Sequence, residues 1–176
     1  RNNRAVNIAR LKSLLKKVGN IEISKSTGYW VMSIEDDSLE FDYNNYLKIS
    51  EKKYPAKEDI LEFIHLTKKG EFIQNSSYEW LDKYKAEVAE NIIDTLINYA
   101  NQNKNDLDAA FLIQMADIVL LFDSVNEEAL EIKCKSLVKS GKHTLAKKNY
   151  ENFKKEYKLL YGEDFKVSFN SLFEQE

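Results

Sequence analysis

The chain has 176 residues, of which 43% are hydrophobic and 31% are charged, a composition typical of a folded, soluble protein. No apolar run reaches the roughly 18 to 20 residues that a membrane span needs, and no apolar stretch follows the first basic residues as in a signal peptide. We therefore expect no membrane partner. The single cysteine, Cys134, excludes an intramolecular disulfide and fits the reducing cytoplasm.

Charge is divided unevenly along the sequence. The formal net charge is −3, but residues 1–19 hold six basic residues and no acidic one, so the remaining residues carry −9. This basic head (residues 1–19) precedes an acidic remainder (residues 20–176), and such an uneven distribution of charge calls for a functional explanation. One proline and five glycines are few helix breakers for this length, which predicts long helices.

A helix is predicted in the basic head, and a hairpin is predicted directly after it. Over residues 5–18 the apolar side chains recur at steps of three and four, and Gly19 is placed to end the helix. The opposite face carries Asn7, Arg10 and Lys17. Residues 21–23 and 29–34 are predicted as two short strands joined by residues 24–28, a basic tip of small residues. The apolar positions of the helix are Ile8, Leu11, Leu15 and Val18.

An acidic connection (residues 35–42) and a series of helices follow. We expect a short helix at about 44–52, which stops before Pro55. Two capping boxes, Ser76 with Glu79 and Ser124 with Glu127, predict the starts of two later helices. The later helices expected are one at 57–69, a long helix that the first box opens, one at about 107–122, a helix that the second box opens and Gly141 closes, and a last long helix that ends near Gly162. The apolar stripe of the second is Leu81, Tyr84, Val88, Ile92 and Leu96.

A weak internal repeat links two of these helices. Three apolar residues recur 34 residues later, which is the period of tetratricopeptide repeats, where paired helices stack into a solenoid. The period predicts a helical-repeat domain, although the first unit has no equivalent of Gly141. The two sets are Leu112, Ala116 and Val119, then Ala146, Tyr150 and Phe153.

Residues suited to catalysis are few and scattered. His65, His143 and Cys134 fall on three different predicted helices, where we expect packing or solvent-facing roles. The motifs H-E-x-x-H, paired C-x-x-C, Walker-type and dinucleotide-binding do not occur. We therefore predict that the chain is not an enzyme and has no catalytic residue, cofactor or metal site.

Two other residue groups are assigned structural roles. The acidic cluster within residues 35–42 lacks the spacing and the turn glycine of a calcium loop, so we expect a solvated connector. Trp30, Trp80 and the ten tyrosines are spaced as strand or helix residues, which favours core packing over base stacking.

The basic head resembles a known DNA-binding element. Residues 6–12, Val-Asn-Ile-Ala-Arg-Leu-Lys, and residues 27–30, Thr-Gly-Tyr-Trp, resemble the end of the winged-helix domain of response-regulator-type transcription factors. In that family a recognition helix of the form V-x-I-x-R-L-R is followed by a wing that closes in G-Y-R. A helix of this kind enters the major groove, where arginine is the preferred reader of guanine.

The second half resembles the bacterial transcriptional activator domain. This tetratricopeptide-like module follows such a winged helix in antibiotic-regulatory-protein-type activators. The resemblance lies in Leu-Phe-Asp-Ser-Val-Asn-Glu-Glu-Ala at 121–129, in Lys-Ser-Gly-Lys-His-Thr-Leu-Ala at 139–146, in Tyr150, and in Glu-Trp-Leu at 79–81. The order of these motifs, more than any one of them, carries the resemblance.

The resemblance implies a division of the chain and a set of roles. Residues 1–35 would be a partial winged-helix domain, 36–56 a linker with a short helix, and 57–176 the helical activator-like domain, so the fold class expected is mostly α. Arg10 would be the main base-reading residue, with Asn7 and Lys12 at neighbouring DNA contacts and Lys25 at the basic position of the wing. With Arg4 of the same basic head, the predicted DNA-binding set is Arg4, Asn7, Arg10, Lys12 and Lys25.

Two departures from the family pattern have consequences. Trp30 stands where the wing has an arginine, which removes one expected phosphate contact. The strands and two helices expected before the recognition helix are absent from this sequence, so we expect it to begin within its DNA-binding domain. Because burying one Leu-sized side chain is worth about 1.5–3 kcal/mol, we expect the apolar face of residues 5–18 to pack on the same chain or on a second copy.

Three functions remain open at this point. The resemblance implies a cytoplasmic transcription regulator that binds double-stranded DNA and contacts other protein chains, as a homo-oligomer or with the transcription machinery. A helical-repeat scaffold for protein interactions, without DNA binding of its own, is the alternative. A ligand sensor is the third, and it requires a defined pocket lined by residues such as Trp80, Tyr84 or Tyr99.

Overall fold

The structure, a computed structural model, describes residues 2–34 and 41–174. Within these ranges the chain is mostly helical, with seven α-helices and one two-stranded antiparallel sheet, as the sequence predicts. It divides into two compact units, Arg1–Asn45 and Tyr46–Glu176. None of the helices in the described ranges is long and apolar enough to cross a membrane.

The elements follow one another in a simple order. In chain order they are α1 (Asn2–Leu15), β1 (Ile21–Ser26), β2 (Tyr29–Ile34), α2 (Asp42–Ser50), α3 (Lys57–Thr67), α4 (Glu79–Asn103), α5 (Ala109–Phe122), α6 (Glu127–Lys139), α7 (His143–Tyr161) and a 3-10 turn (Asn170–Phe173).

In the first unit, α1 packs against β1, and β1 pairs with β2 in a register that places Ile21 opposite Ile34. The connection is shorter than the sequence suggested. Thr27 and Gly28 alone form the turn, with φ angles of 48° and 87°. Positive φ at both central residues matches the right-handed twist of the strands, so two residues suffice. The prediction of a five-residue tip at 24–28 is therefore wrong, and Lys25 lies within β1.

The second unit is built from helices that pack on their neighbours. Each of α4, α5 and α6 packs on the helix that follows it, and α3 also contacts α5 while α4 contacts α6. The six residues of the 34-residue repeat are all buried at these contacts. They are Leu112, Ala116, Val119, Ala146, Tyr150 and Phe153.

A C-terminal tail (residues 163–174) covers the last helices. Phe165 and Leu172 are buried in one cluster with Leu130 of α6 and Phe153 of α7. The Tyr150 hydroxyl donates a hydrogen bond of 2.7 Å to the Val167 carbonyl oxygen. Because an end helix of a stack leaves an apolar face uncovered, the tail serves as its cap.

The helix starts differ from the predicted capping boxes. At α6 the N-cap is Asn126, whose side chain accepts from the Ala129 N–H at 3.0 Å, so the box of Ser124 and Glu127 is wrong. At α4 the N-cap is Tyr78, which makes no side-chain cap, and Ser76 uses its carbonyl oxygen to accept from Lys85 instead. At α6 the serine is displaced as the cap by Asn126, a good capping residue that lies directly before the helix.

Candidate nucleic-acid interface

Helix α1 is the element that positions most of the predicted DNA contacts. It begins at Asn2 and ends at Leu15, where hydrogen bonds from Lys17 N to Leu14 O and from Val18 N to Leu15 O tighten the last turn. Every basic residue described on α1 is exposed. The helix therefore presents its cations to solvent.

The apolar face of α1 is only partly covered. Ile8 and Leu15 are half-buried, and α1 packs against β1. Leu11 and Val18 stay exposed, at 43% and 63% of their surface. The expectation that this face packs on the same chain is thus confirmed for two of its four residues.

Asn7 lies on the flank of α1, and Arg10 lies on the side turned away from the half-buried Ile8. At about 100° per residue, they lie roughly 100° and 160° around the helix from Ile8. Both side chains are exposed, and Arg10 makes no ion pair within the described part of the chain. An exposed guanidinium on a helix keeps all its donors available for a base edge or a phosphate.

Arg4 and Lys12 are placed differently from Arg10. They line a shallow groove of about 390 Å³ together with Ile8 and Trp30. Trp30 is 42% exposed, so the prediction that it packs in a core is wrong. The physical reason is that the small hairpin has too few neighbours to enclose an indole ring.

Lys25 is related to the same groove through the hairpin. It pairs with Trp30 across the two strands, and directly opposed residues project from one face of a sheet. The predicted site therefore separates into two groups. Asn7 and Arg10 share the outer face of α1, whereas Arg4, Lys12 and Lys25 surround Trp30.

An aromatic patch that the sequence analysis assigned to the core lies at the start of α4. Tyr78, Trp80 and Tyr84 are exposed at 62%, 67% and 52%. The ring centroids of Tyr78 and Trp80 are 6.3 Å apart, and those of Trp80 and Tyr84 are 6.4 Å apart. The core assignment of Trp80 and Tyr84 is therefore wrong. Trp80 follows directly on Glu79, out of step with the buried Leu81 and Val88, and this offset is the signal that was missed.

The pocket required for a ligand sensor is not formed by the three residues named for it. Tyr99 is buried and contributes to the wall of an open polar groove of about 420 Å³, with Asn91, Asn98 and Lys53 among the other lining residues. Trp80 and Tyr84 lie on the surface patch instead. Of these three residues, Tyr99 is the one that lines this groove.

The remaining candidate residues have ordinary surroundings. His65 and His143 are exposed. Cys134 is fully buried, and burial raises the pKa of its thiol to about 11. Among the residues that the structure describes, no group of three or more His, Cys, Asp or Glu side chains is arranged to hold a metal ion. Most of the acidic connection, residues 35–40, lies outside the described ranges.

Comparisons with protein-family models, with curated protein sequences and with solved structures found no match. The function must therefore be argued from the residues and the geometry given above.

Proposed function

We propose that this chain is the C-terminal part of a DNA-binding transcription regulator. Helix α1 is its recognition helix, and the β1–β2 hairpin is its wing. The second unit is a tetratricopeptide-like domain for oligomerisation or contacts with other proteins. The protein acts in the cytoplasm, without catalysis, cofactor or metal.

The observation that carries this proposal is the division of α1 into two faces. Ile8 and Leu15 are half-buried, whereas Arg10 lies on the opposite face and Asn7 on the flank, both exposed to solvent. A helix held by a hairpin can lie in a major groove about 12 Å wide, and Lys25 of the hairpin can reach an adjacent phosphate. The absence of acidic residues in 1–19 removes the repulsion that a phosphate backbone would otherwise meet.

Two features support the assignment of the second unit. Helices α4 to α7 each pack on the next, and α4 also contacts α6, which is how stacked helix pairs share one core. The residues of the 34-residue repeat occupy this core, and Gly141, with φ 73°, makes the turn between α6 and α7. Such a stack offers surfaces for protein contacts without a catalytic cleft.

The test is selection of a duplex from a random-sequence pool, followed by binding of that duplex to the wild type and to Arg10→Glu. A bidentate arginine on guanine is worth about 1–3 kcal/mol, so loss of Arg10 should weaken binding by roughly 5- to 150-fold, and the reversed charge should weaken it further. Lys104→Glu, at the exposed end of α4, changes the net charge equally and should leave the affinity near that of the wild type. Equal effects of the two variants, or selection of no sequence, would refute the proposal.

The alternative, an interaction scaffold, is favoured by one observation. The exposed rings of Tyr78, Trp80 and Tyr84 form a contiguous aromatic patch, and tyrosine and tryptophan are the residues enriched at interface hot spots. A scaffold keeps its protein partners when Arg10 is replaced by glutamate, and it loses them when Trp80 is replaced by alanine. The reverse pattern supports the regulator.

A further inference from the structure

The second unit contains a basic surface that the proposed function does not use. Residues 139–158 hold seven lysines and two glutamates, a net charge of +5, although residues 20–176 together carry −9. Most of these lysines belong to α7, whose apolar residues Ala146, Tyr150 and Phe153 are buried in the core. The cations are thereby fixed on the outer side of a packed helix.

The lysines of α7 form one stripe. Lys147 and Lys154, and likewise Lys148 and Lys155, are seven residues apart, which places each pair about 10.5 Å apart on nearly the same side of the helix. Lys158 lies roughly between the two rows. Glu156 falls outside the stripe, so Glu151 is the one acidic residue of α7 within it.

Part of this charge is neutralised within the protein and part is not. Lys158 binds Asp164 at 2.9 Å and holds the pKa of that carboxyl below its usual value. Lys154 is 3.9 Å from Glu151, and its Nζ lies 5.5 Å from the centre of the Tyr150 ring. Lys147, Lys148 and Lys155 are exposed and make no ion pair with any residue that the structure describes. Three cations of the stripe are therefore open to an external anion.

We propose that the α7 stripe, led by Lys147, Lys148 and Lys155, binds the phosphate backbone of double-stranded DNA independently of sequence. This inference rests on the proposed function for its choice of partner. Lysine acts as a point charge toward phosphate and carries no sequence information, so the stripe adds affinity to the sequence-specific contacts of α1.

The composition of the stripe favours nucleic acid over other anionic partners. Protein interfaces are depleted in lysine and are anchored by aromatic side chains, but along the stripe Tyr150 and Phe153 are buried and Tyr157 is half-buried, and the exposed Tyr161 lies beyond the stripe at the end of α7. A membrane-surface helix needs a free apolar face along its length to insert, but the main apolar face of α7 is packed in the core, and its exposed apolar residues stand only at its two ends (Leu145, and Leu159 to Tyr161). A phosphate backbone requires only accessible positive charge.

The test is the salt dependence of binding to a labelled duplex of random sequence, measured by fluorescence anisotropy between roughly 50 and 200 mM salt. The variant carries Lys147→Gln, Lys148→Gln and Lys155→Gln. Each phosphate contact contributes about 0.9 to the slope of log K against log salt, so the slope should fall in magnitude by up to about 2.7. The matched control, Lys68→Gln with Lys83→Gln and Lys104→Gln, removes the same charge from exposed positions of the same unit and should keep the wild-type slope.

Each outcome bears on the inference separately from the proposed function. A smaller slope in the α7 variant, with Arg10→Glu without effect on the selected duplex, supports the inference and contradicts α1 as the reader. An α7 slope equal to that of the control overturns the inference whatever Arg10→Glu does. Loss of binding to phosphatidylserine vesicles with an unchanged DNA slope would assign the stripe to a membrane instead. The single variants Lys148→Gln and Lys155→Gln, each expected to lower the slope by about 0.9, serve if the triple variant misfolds.

Discussion

Replacing Phe165 with alanine removes the main apolar anchor between the C-terminal tail and the last helices. The Phe165 ring lies 5.0 Å from the Phe153 ring and 5.1 Å from the Tyr157 ring, measured between centroids, and 8% of the residue is exposed. Truncation of a buried phenylalanine costs about 3–5 kcal/mol. Because this cluster lies at the end of the helical stack, the tail can partly close the cavity, and we expect about 3 kcal/mol.

Urea unfolding followed by circular dichroism measures this change directly. In a chain of this size each kcal/mol corresponds to about 2–4 °C in Tm, so Phe165→Ala should also melt roughly 6–12 °C below the wild type. Leu159→Ala is the matched control, because Leu159 lies near the same end of α7 but is 82% exposed, and its cost should stay within about 0.5 kcal/mol. Equal costs for the two variants would refute the description of the tail as a cap.

Three further predictions concern the second unit. Asn126→Ala removes the N-cap of α6 and should lower the free energy of unfolding by about 1 kcal/mol, whereas Ser124→Ala should change it little. Urea denaturation measures both values. A larger loss of stability for Ser124→Ala than for Asn126→Ala would restore the predicted capping box. Tyr150→Phe deletes the hydrogen bond to the Val167 carbonyl and should cost about 1 kcal/mol, and a neutral result would mean that the tail is held by its rings alone. The Cys134 thiol has its pKa raised by burial from 9.0 to about 11, so the unfolded chain loses this proton first. The contribution of this thiol to stability should therefore be constant between about pH 7 and 9 and be lost progressively toward pH 11. A thiol reagent should accordingly label Cys134 only after unfolding; rapid labelling of the folded protein would contradict its burial.

The helices were predictable because their signals are local. With few prolines and glycines, the 3.6-residue periodicity locates α5, α6 and α7, and Gly162, at φ 72°, ends α7 in the left-handed conformation that glycine adopts without strain. Packing of the tail was not predictable in the same way. The spacing of Phe165, Val167 and Phe169 fits a strand as well as a helix, and their partners lie on α6 and α7, which only the tertiary structure brings to them.

The candidate site was predictable in its charge but not in its grouping. The excess of basic residues in 1–19 can be counted from the sequence, and the side of α1 that carries Asn7 and Arg10 follows from periodicity. The proximity of Arg4 and Lys12 to Trp30 depends on how the hairpin lies against α1, a contact between elements. The α7 stripe is hard to predict from the sequence because its lysines alternate with aromatic residues. The spacing of those aromatic residues predicts the buried face of α7 but not the use of its outer face.

The exposed face of α1 as the DNA-binding surface is the central claim, and amide chemical-shift mapping by NMR tests it most directly. The selected duplex would be titrated into isotopically labelled protein. We predict that the largest shifts occur at Asn7 and Arg10 and continue into β1 near Lys25, with smaller changes along α7 and none at Tyr78–Tyr84. Shifts confined to the aromatic patch of α4, or no shifts in α1, would contradict a recognition role for this helix.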